Sequence, residues 1–334
     1  MAVTYGAAQD VEMRCAAYVA KHLGWDHSPI PVEYGQFEGF GVRQIDLEVL
    51  STTFHNFAWW CGESERMAAG RRLITGFVGD AVMGGSHISW AYDEGSDTYT
   101  FDKLFGKINR YGFPVDVVRS ALAKTFPGDP VGDVIGSLRD TFDGFGGLPY
   151  QRSWMFDLLH RQRLHVAPGA WRLSFGSWAR MPYADREVIE AAAGMPLAYI
   201  AKRRLQIHMM QRRFPGLARL PLDRSDHQPL PLVPSVYGHL RTLGGRVLRK
   251  LRLRRNDIFY HRIYDVNNPG WRSIRMRAEA GRPRVANVLG AEFVNRWAPD
   301  PTKLIAERDP VVGTAKNKAL YGLMLLAESS GSIG

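Results

Sequence analysis

The first apolar run, Val3-Thr4-Tyr5, is short and rich in β-prone side chains, and it predicts a strand starting almost at the first residue. Asp10 then stands where a helix N-cap belongs, with Glu12 in the first turn. Val11, Cys15 and Tyr18, joined by Ala16 and Val19, are expected on one side of that helix, and Gly24 after Leu23 reads as its stop. Ile30–Val32 predicts a second short strand. From Val42 to Met67 the apolar positions recur at helical spacing (Ile45, Val49, Phe54, Phe57, Trp60), and Gly70 closes the stretch. Leu73-Ile74-Thr75 is a compact strand that runs into the glycine-rich turn Gly76–Asp80. Strand, helix, strand, helix, strand in this order predicts an α/β domain with a parallel sheet.

Beyond Asp102 the pattern is mostly helical, with helices expected over Pro114–Thr125, Asp133–Phe142, Gln151–Leu164, Arg186–Ala193 and Tyr199–Phe214. The proline-rich stretch Pro221–Pro234 reads as an extended connector, and further helices run to about Ala327. No internal repeat is evident.

Composition changes this picture in two places. Hydrophobic residues at 45% and charged residues at 23% fit a globular chain with a large core, and two cysteines, Cys15 and Cys61, are too few for a disulfide framework. That points to a reducing, cytoplasmic setting. The first thirty residues hold Asp10, Glu12, Arg14, Lys21 and Asp26, so no signal-peptide core is expected there. The net charge of +10 is concentrated, since Arg241, Arg246, Arg249, Lys250, Arg252, Arg254 and Arg255 fall in one segment with no acid between them. With Leu243, Val247, Leu248, Leu251 and Leu253 interleaved, Arg241–Arg255 fits an amphipathic helix on an acidic membrane surface or protein partner, or a solvated helical insertion. Nucleic-acid binding has no recognition motif to support it.

Candidate chemistry lies in a few segments. In Thr75–Gly85, Gly76, Gly79, Gly84 and Gly85 let the backbone approach a phosphate, and Asp80 can hold Mg²⁺; a plain strand-to-helix turn uses the same glycines. Arg180-Met181-Pro182-Tyr183-Ala184-Asp185 sets Asp185 as the cap of the next helix, ended by Gly194-Met195-Pro196. Lys202-Arg203-Arg204-Leu205 supplies cations that either meet a phosphoryl group or form a solvated helix face. Arg152, Arg161 and Arg163 fit an anionic-substrate pocket or a charged surface equally well, and no HExxH or Ser-His-Asp pattern accompanies His160 and His165.

These segments resemble the C-terminal synthetase (ATP-pyrophosphatase) domain of the asparagine synthase family. Gly76, Asp80, Gly84 and Gly85 match its S-G-E/D-G-x-D-E-L-F-G-G segment in register, with Thr75 in place of Ser, but Phe77, Val78 and Ala81 replace an acid, a glycine and a second acid. Arg180–Asp185 is similar to R-x-P-F-L-D, and Lys202–Leu205 to K-x-x-L. Glu12, Ala16, Ala20, Leu23-Gly24 and His27 resemble the stretch that follows the family's first strand. The family's S-G-G-x-D-S phosphate loop does not occur in residues 1–334, and Met1 falls just after the place where it would end. No glutaminase half with an N-terminal nucleophilic cysteine is present either.

The resemblance implies a partial doubly wound parallel sheet of the adenine nucleotide alpha-hydrolase type, followed by a mostly helical C-terminal part. It divides the chain into a synthetase core over residues 1–235, lacking its N-terminal loop, a basic helical insertion or linker over 236–258, and helices of the same domain over 259–334. It also implies an ATP-dependent amide-forming ligase that adenylates a small-molecule carboxylate, with ammonia from a separate glutaminase or other source, or an amine, displacing AMP. Thr75, Gly76, Gly79, Asp80, Gly84 and Gly85 would contact ATP, Asp80 would bind Mg²⁺, and Lys202 or Arg203 would stabilise the pyrophosphate. A non-catalytic binding or scaffold protein of the same fold is the alternative, because the loop and two motif acids are missing.

Overall fold

A computed structural model describes residues 1–6, 10–31, 69–84, 100–109, 112–166, 170, 174, 177–223, 229–233, 235–250, 266–267, 269–306 and 315–329. The expected Val42–Met67 helix, Cys61, Gly85 and the segment 251–258 lie outside these residues.

Strand β1 (Ala2–Gly6), helix α1 (Val11–His22) and strand β2 (His27–Pro31) form a βαβ unit, with β1 and β2 parallel and Ala2 opposite His27. Gly24 stops α1 in the left-handed conformation, at φ +67°. Of the face expected to be buried, Cys15 is buried and Val11, Ala16 and Val19 are half-buried, but Tyr18 is 55% exposed, and Met13 and Ala20 are buried as well. The buried surface is wider because α1 packs on β1 and β2 and also on the strand Pro221–Asp223.

A second parallel pair joins β3 (Arg72–Ile74) to β4 (Trp178–Arg180), a strand the sequence pattern did not flag. Among the described residues the two parallel pairs are separate two-stranded sheets, so the broad α/β class holds in a chain dominated by helices.

Between β3 and β4 come the short helix α2 (Gly79–Val82), α3 (Phe101–Ile108), α4 (Val115–Leu122), α5 (Pro130–Gly144) and α6 (Pro149–Phe156). α6 does not continue as the expected α-helix to Leu164; it widens into a π-helix over Asp157–Val166. Their shared core holds Val82, Phe101, Leu104, Phe142, Trp154 and Phe156, with the Phe101 and Phe156 rings edge to face at 5.9 Å.

After β4, α7 (Arg186–Ala193) matches its expected bounds, and Asp185 caps it by accepting a hydrogen bond from the Glu187 amide at 3.0 Å. The single helix expected over Tyr199–Phe214 is instead two, α8 (Leu197–Ile200) and α9 (Arg204–Arg213), interrupted because Lys202 and Arg203 both take left-handed backbone angles. α10 (Pro215–Ala218) follows. The proline-rich connector also contains structure: β5 (Pro221–Asp223) pairs antiparallel with β6 (Pro229–Pro231). Prolines are tolerated in so short a pair because each strand has a free edge.

Helix α11 (Val236–Lys250) is followed by α12 (Pro269–Ala278), α13 (Arg282–Leu289), α14 (Ala291–Trp297) and α15 (Ala315–Ser329). Trp271, Ile274, Leu320, Tyr321 and Met324 form the centre of this second core, and Leu73, Phe77 and Ala179 of the strand region pack against it. The C-terminal helices therefore share a core with β3 and β4.

Candidate functional site

The parallel β3–β4 pair brings two of the singled-out segments together. The ladder runs past Ile74, because the Thr75 amide donates to the Arg180 carbonyl at 2.9 Å. Both chains then leave the sheet at the same edge, Thr75–Gly84 from β3 and Met181–Asp185 from β4. The carboxyl end of parallel strands is where α/β folds place ligands.

Two glycines of the first segment are required by what touches them. A Cβ on Gly79 would lie 2.7 Å from the Tyr183 ring, so the two segments meet there. At Gly84, with φ +77°, a Cβ would overlap the Ile200 carbonyl oxygen and lie 2.6 Å from Ile200 Cγ2. That second contact brings in the third segment, since Ile200 ends the helix before Lys202 and Arg203. The α2 backbone is also held from α6, where Trp154 Nε1 donates to the Ala81 carbonyl at 2.9 Å.

Strain is concentrated in these segments. Among the described residues, the non-glycine residues with positive φ are Val78 (57°), Lys202 (57°) and Arg203 (60°). A β-branched residue in the left-handed region is an outlier, and each strained residue costs about 1–3 kcal/mol and persists only where its surroundings enforce it. Val78 stands where the resembled motif has glycine, so the turn keeps a glycine-like backbone without the glycine. The paired left-handed residues stop α8 and restart the chain as α9, leaving Lys202 exposed and Arg203 half-buried.

Gly76 and Asp80 are exposed and Thr75 is half-buried, with its hydroxyl buried and unpartnered. The positions that would carry motif acids have become packing: Ala81 is wholly buried, and Phe77 packs against the C-terminal core.

Asp157, absent from the sequence-based candidates, is the most unusual carboxylate near this region. It is completely buried, Oδ2 accepts from Gln162 Nε2 at 2.9 Å, and Oδ1 has no partner. Burial raises its pKa above the ordinary 3.8, the Gln162 hydrogen bond and the Arg161 charge pull it down, and the nearby Asp80 charge pushes it up again. The five-residue spacing to Gln162 fits a π-helix and not an α-helix, which is why no periodic signal announced it. His160, its ring tilted against Phe156 with centroids 4.4 Å apart, has its pKa lowered by burial and by the Arg163 charge.

The raised Asp157 pKa has a measurable sign. A carboxyl whose pKa is raised by folding contributes stability that is complete below 3.8 and is lost as pH rises through the folded value. Asp157→Asn keeps an acceptor for Gln162 and removes the ionisation. The variant should gain stability relative to the wild type as pH rises from about 4 toward neutral. Thermal unfolding of both proteins across that range checks this; parallel curves would mean that Asp157 carries no such strain.

A mostly apolar cavity of about 260 Å³ opens beside the segments, lined by Val82, Met83, Val188, Ile200 and Leu205, with Glu187 also at its wall. Among the described residues no group of three His, Cys, Asp or Glu side chains could hold a metal ion. A lone exposed carboxylate such as Asp80 makes no all-protein cage; a Mg²⁺ there would need phosphate oxygens and waters as its other ligands.

Compared with known proteins, the chain matches no family model, no curated protein and no solved structure.

Proposed function

We propose that this chain carries an asparagine-synthase-like site for ATP and Mg²⁺, at which a small-molecule carboxylate is adenylated and then converted to an amide. The observation that carries the reading is the convergence of Thr75–Gly84, Arg180–Asp185 and Ile200, which stands just before Lys202–Arg203, with positive-φ residues at Val78, Lys202 and Arg203. Strained backbone persists where its surroundings enforce it, and it clusters at functional sites. The finer fold reading, a partial doubly wound sheet of the adenine nucleotide alpha-hydrolase type, belongs to the same proposal. So does a cytoplasmic setting.

In this reading a substrate carboxylate oxygen attacks the α-phosphorus, and the bond to the bridging oxygen breaks as pyrophosphate leaves. Ammonia or an amine then attacks the acyl carbon, AMP leaves, and the nitrogen gives up a proton. Gly76, exposed and with open space beside it, leaves room for phosphate against the backbone, Gly79 seats the turn against Tyr183, and Lys202 or Arg203 offsets the charge that grows on the leaving pyrophosphate. Asp80 would hold Mg²⁺, which supplies charge neutralisation on the phosphates. The apolar cavity is suited to the body of the carboxylate substrate, and the nitrogen source is a separate glutaminase, free ammonia or an amine.

A non-catalytic protein of the same fold is the second reading. It is favoured by the buried Ala81 and the packed Phe77, which leave Asp80 without the two neighbouring acids. Calorimetry with Mg-ATP, followed by ATP–pyrophosphate exchange over a panel of carboxylates, separates the two. Binding with exchange supports the ligase, and Asp80→Asn should then weaken Mg-ATP binding about tenfold. Binding without exchange supports the second reading. No binding of Mg-ATP removes the ligase and leaves a scaffold role as the second reading.

A further inference from the structure

Helix α11 is turned the wrong way round for a helix that belongs only to this fold. Ser235 caps it, its hydroxyl accepting from the Gly238 amide at 3.0 Å. At 100° per residue, Gly238, Thr242 and Gly245 fall within one arc of about 60°. This small-residue face is the one turned inward: Gly245 is buried, Thr242 is half-buried, and a Cβ on Gly238 would lie 3.9 Å from the buried Leu230 side chain. Val236, Leu240, Leu243 and Val247 fall in an arc of similar width on the opposite side. They are 80%, 62%, 42% and 56% exposed, and Tyr237 and Leu248 at the flank are 69% and 43% exposed.

An apolar stripe of this length on one helix marks an interaction surface, because water alone gives no reason to keep it. Its occupant is indicated by charge. The sequence puts Arg241, Arg246, Arg249 and Lys250 at positions outside the apolar arc, and from His227 to Asn256 there is no Asp or Glu. Arg252, Arg254 and Arg255 continue the run immediately after the helix. A protein groove selects apolar anchors with a mixed polar rim, whereas a lipid surface selects an apolar face and cations alone. Among the described residues no helix is long and apolar enough to cross a membrane, so the attachment would be to one leaflet.

We propose that α11 docks the protein on an anionic lipid surface, with the Val236–Leu240–Leu243–Val247 stripe in the acyl boundary and the exposed Arg241 among the acidic headgroups. This surface is separate from the nucleotide site and stands whether or not that site is active.

Flotation of the full chain with phosphatidylcholine vesicles, with and without phosphatidylserine, tests it. Binding should be at least about tenfold stronger to vesicles containing phosphatidylserine and should fall as salt is raised. Leu240→Glu with Val247→Glu changes only exposed positions and should reduce binding about tenfold or more. Arg241→Gln should reduce it about fivefold. Three outcomes overturn the proposal: equal or no partitioning to both vesicles at low salt, unchanged binding by the Glu pair, and a dimer that the Glu pair dissociates with no vesicle binding. Retention on a soluble acidic polypeptide without vesicle binding also overturns it and assigns the surface to an acidic protein.

Discussion

Gly84→Ala should cost about 3 kcal/mol of stability and also damage the candidate site. Two effects add at this residue. Its φ of +77° disfavours any side chain, and the new Cβ would overlap the Ile200 carbonyl oxygen, a backbone atom with little room to move. Relief requires Ile200 to shift, and Ile200 is two residues from Lys202. If the converged segments form a nucleotide site, Mg-ATP affinity in the variant should fall by more than the loss of folded protein explains. Urea unfolding and calorimetry on the folded fraction separate the two quantities. Gly76→Ala is the contrast: its Cβ would meet nothing within 4 Å and its φ is not positive, so stability should hardly change. A Gly84→Ala protein as stable as the wild type would show that the turn and α8 do not press on one another.

Arg275→Met should be nearly as damaging, by a different mechanism. Arg275 is fully buried in the C-terminal core, and its Nη2 donates to the carbonyls of Lys303 at 2.8 Å and Asp300 at 3.0 Å. Its guanidinium carbon also lies 5.8 Å from the centre of the Tyr321 ring. Methionine fills much of the space but donates nothing, so two hydrogen bonds from a buried guanidinium are lost, at about 1.5–3 kcal/mol each. A loss of about 3 kcal/mol is expected on urea unfolding, with proteolysis appearing first around residues 299–306, the stretch that Arg275 holds. Arg275→Lys should fall between the two, because one ammonium cannot reproduce the planar fork.

Much of this architecture is legible in the sequence, and what is not has identifiable causes. β1, β3 and α7 follow from local pattern, as does the Asp185 cap, because short-range propensity and capping decide them. The helix break at Lys202–Arg203 does not, since Lys and Arg are good helix formers and only the contact between Gly84 and the Ile200 carbonyl reveals how tightly the preceding turn is fixed. β4 escapes because Trp178-Ala179-Arg180 is three residues long and gains its strand character from pairing with Arg72–Ile74. Asp157 escapes because its partner Gln162 sits at a spacing that only a π-helix uses. The sequence reads Leu243, Val247 and Leu248 as one face of an amphipathic helix, and the structure exposes them, whereas the inward turn of Gly238, Thr242 and Gly245 was not legible because small residues carry no hydrophobic signal. The candidate site was thus readable as three separate segments, while their meeting depended on long-range contacts.

The packing of Phe77 and Ala81 limits how acidic the turn around Asp80 can be made. An acid placed at 81 would be a charge in a fully buried position, and one placed at 77 would displace a ring from a core built by α12 and α15. Neither substitution should be tolerated singly without altering residues far away in the chain. The ceiling on negative charge in this turn is therefore set by the C-terminal helices, and not by the exposed Asp80 itself.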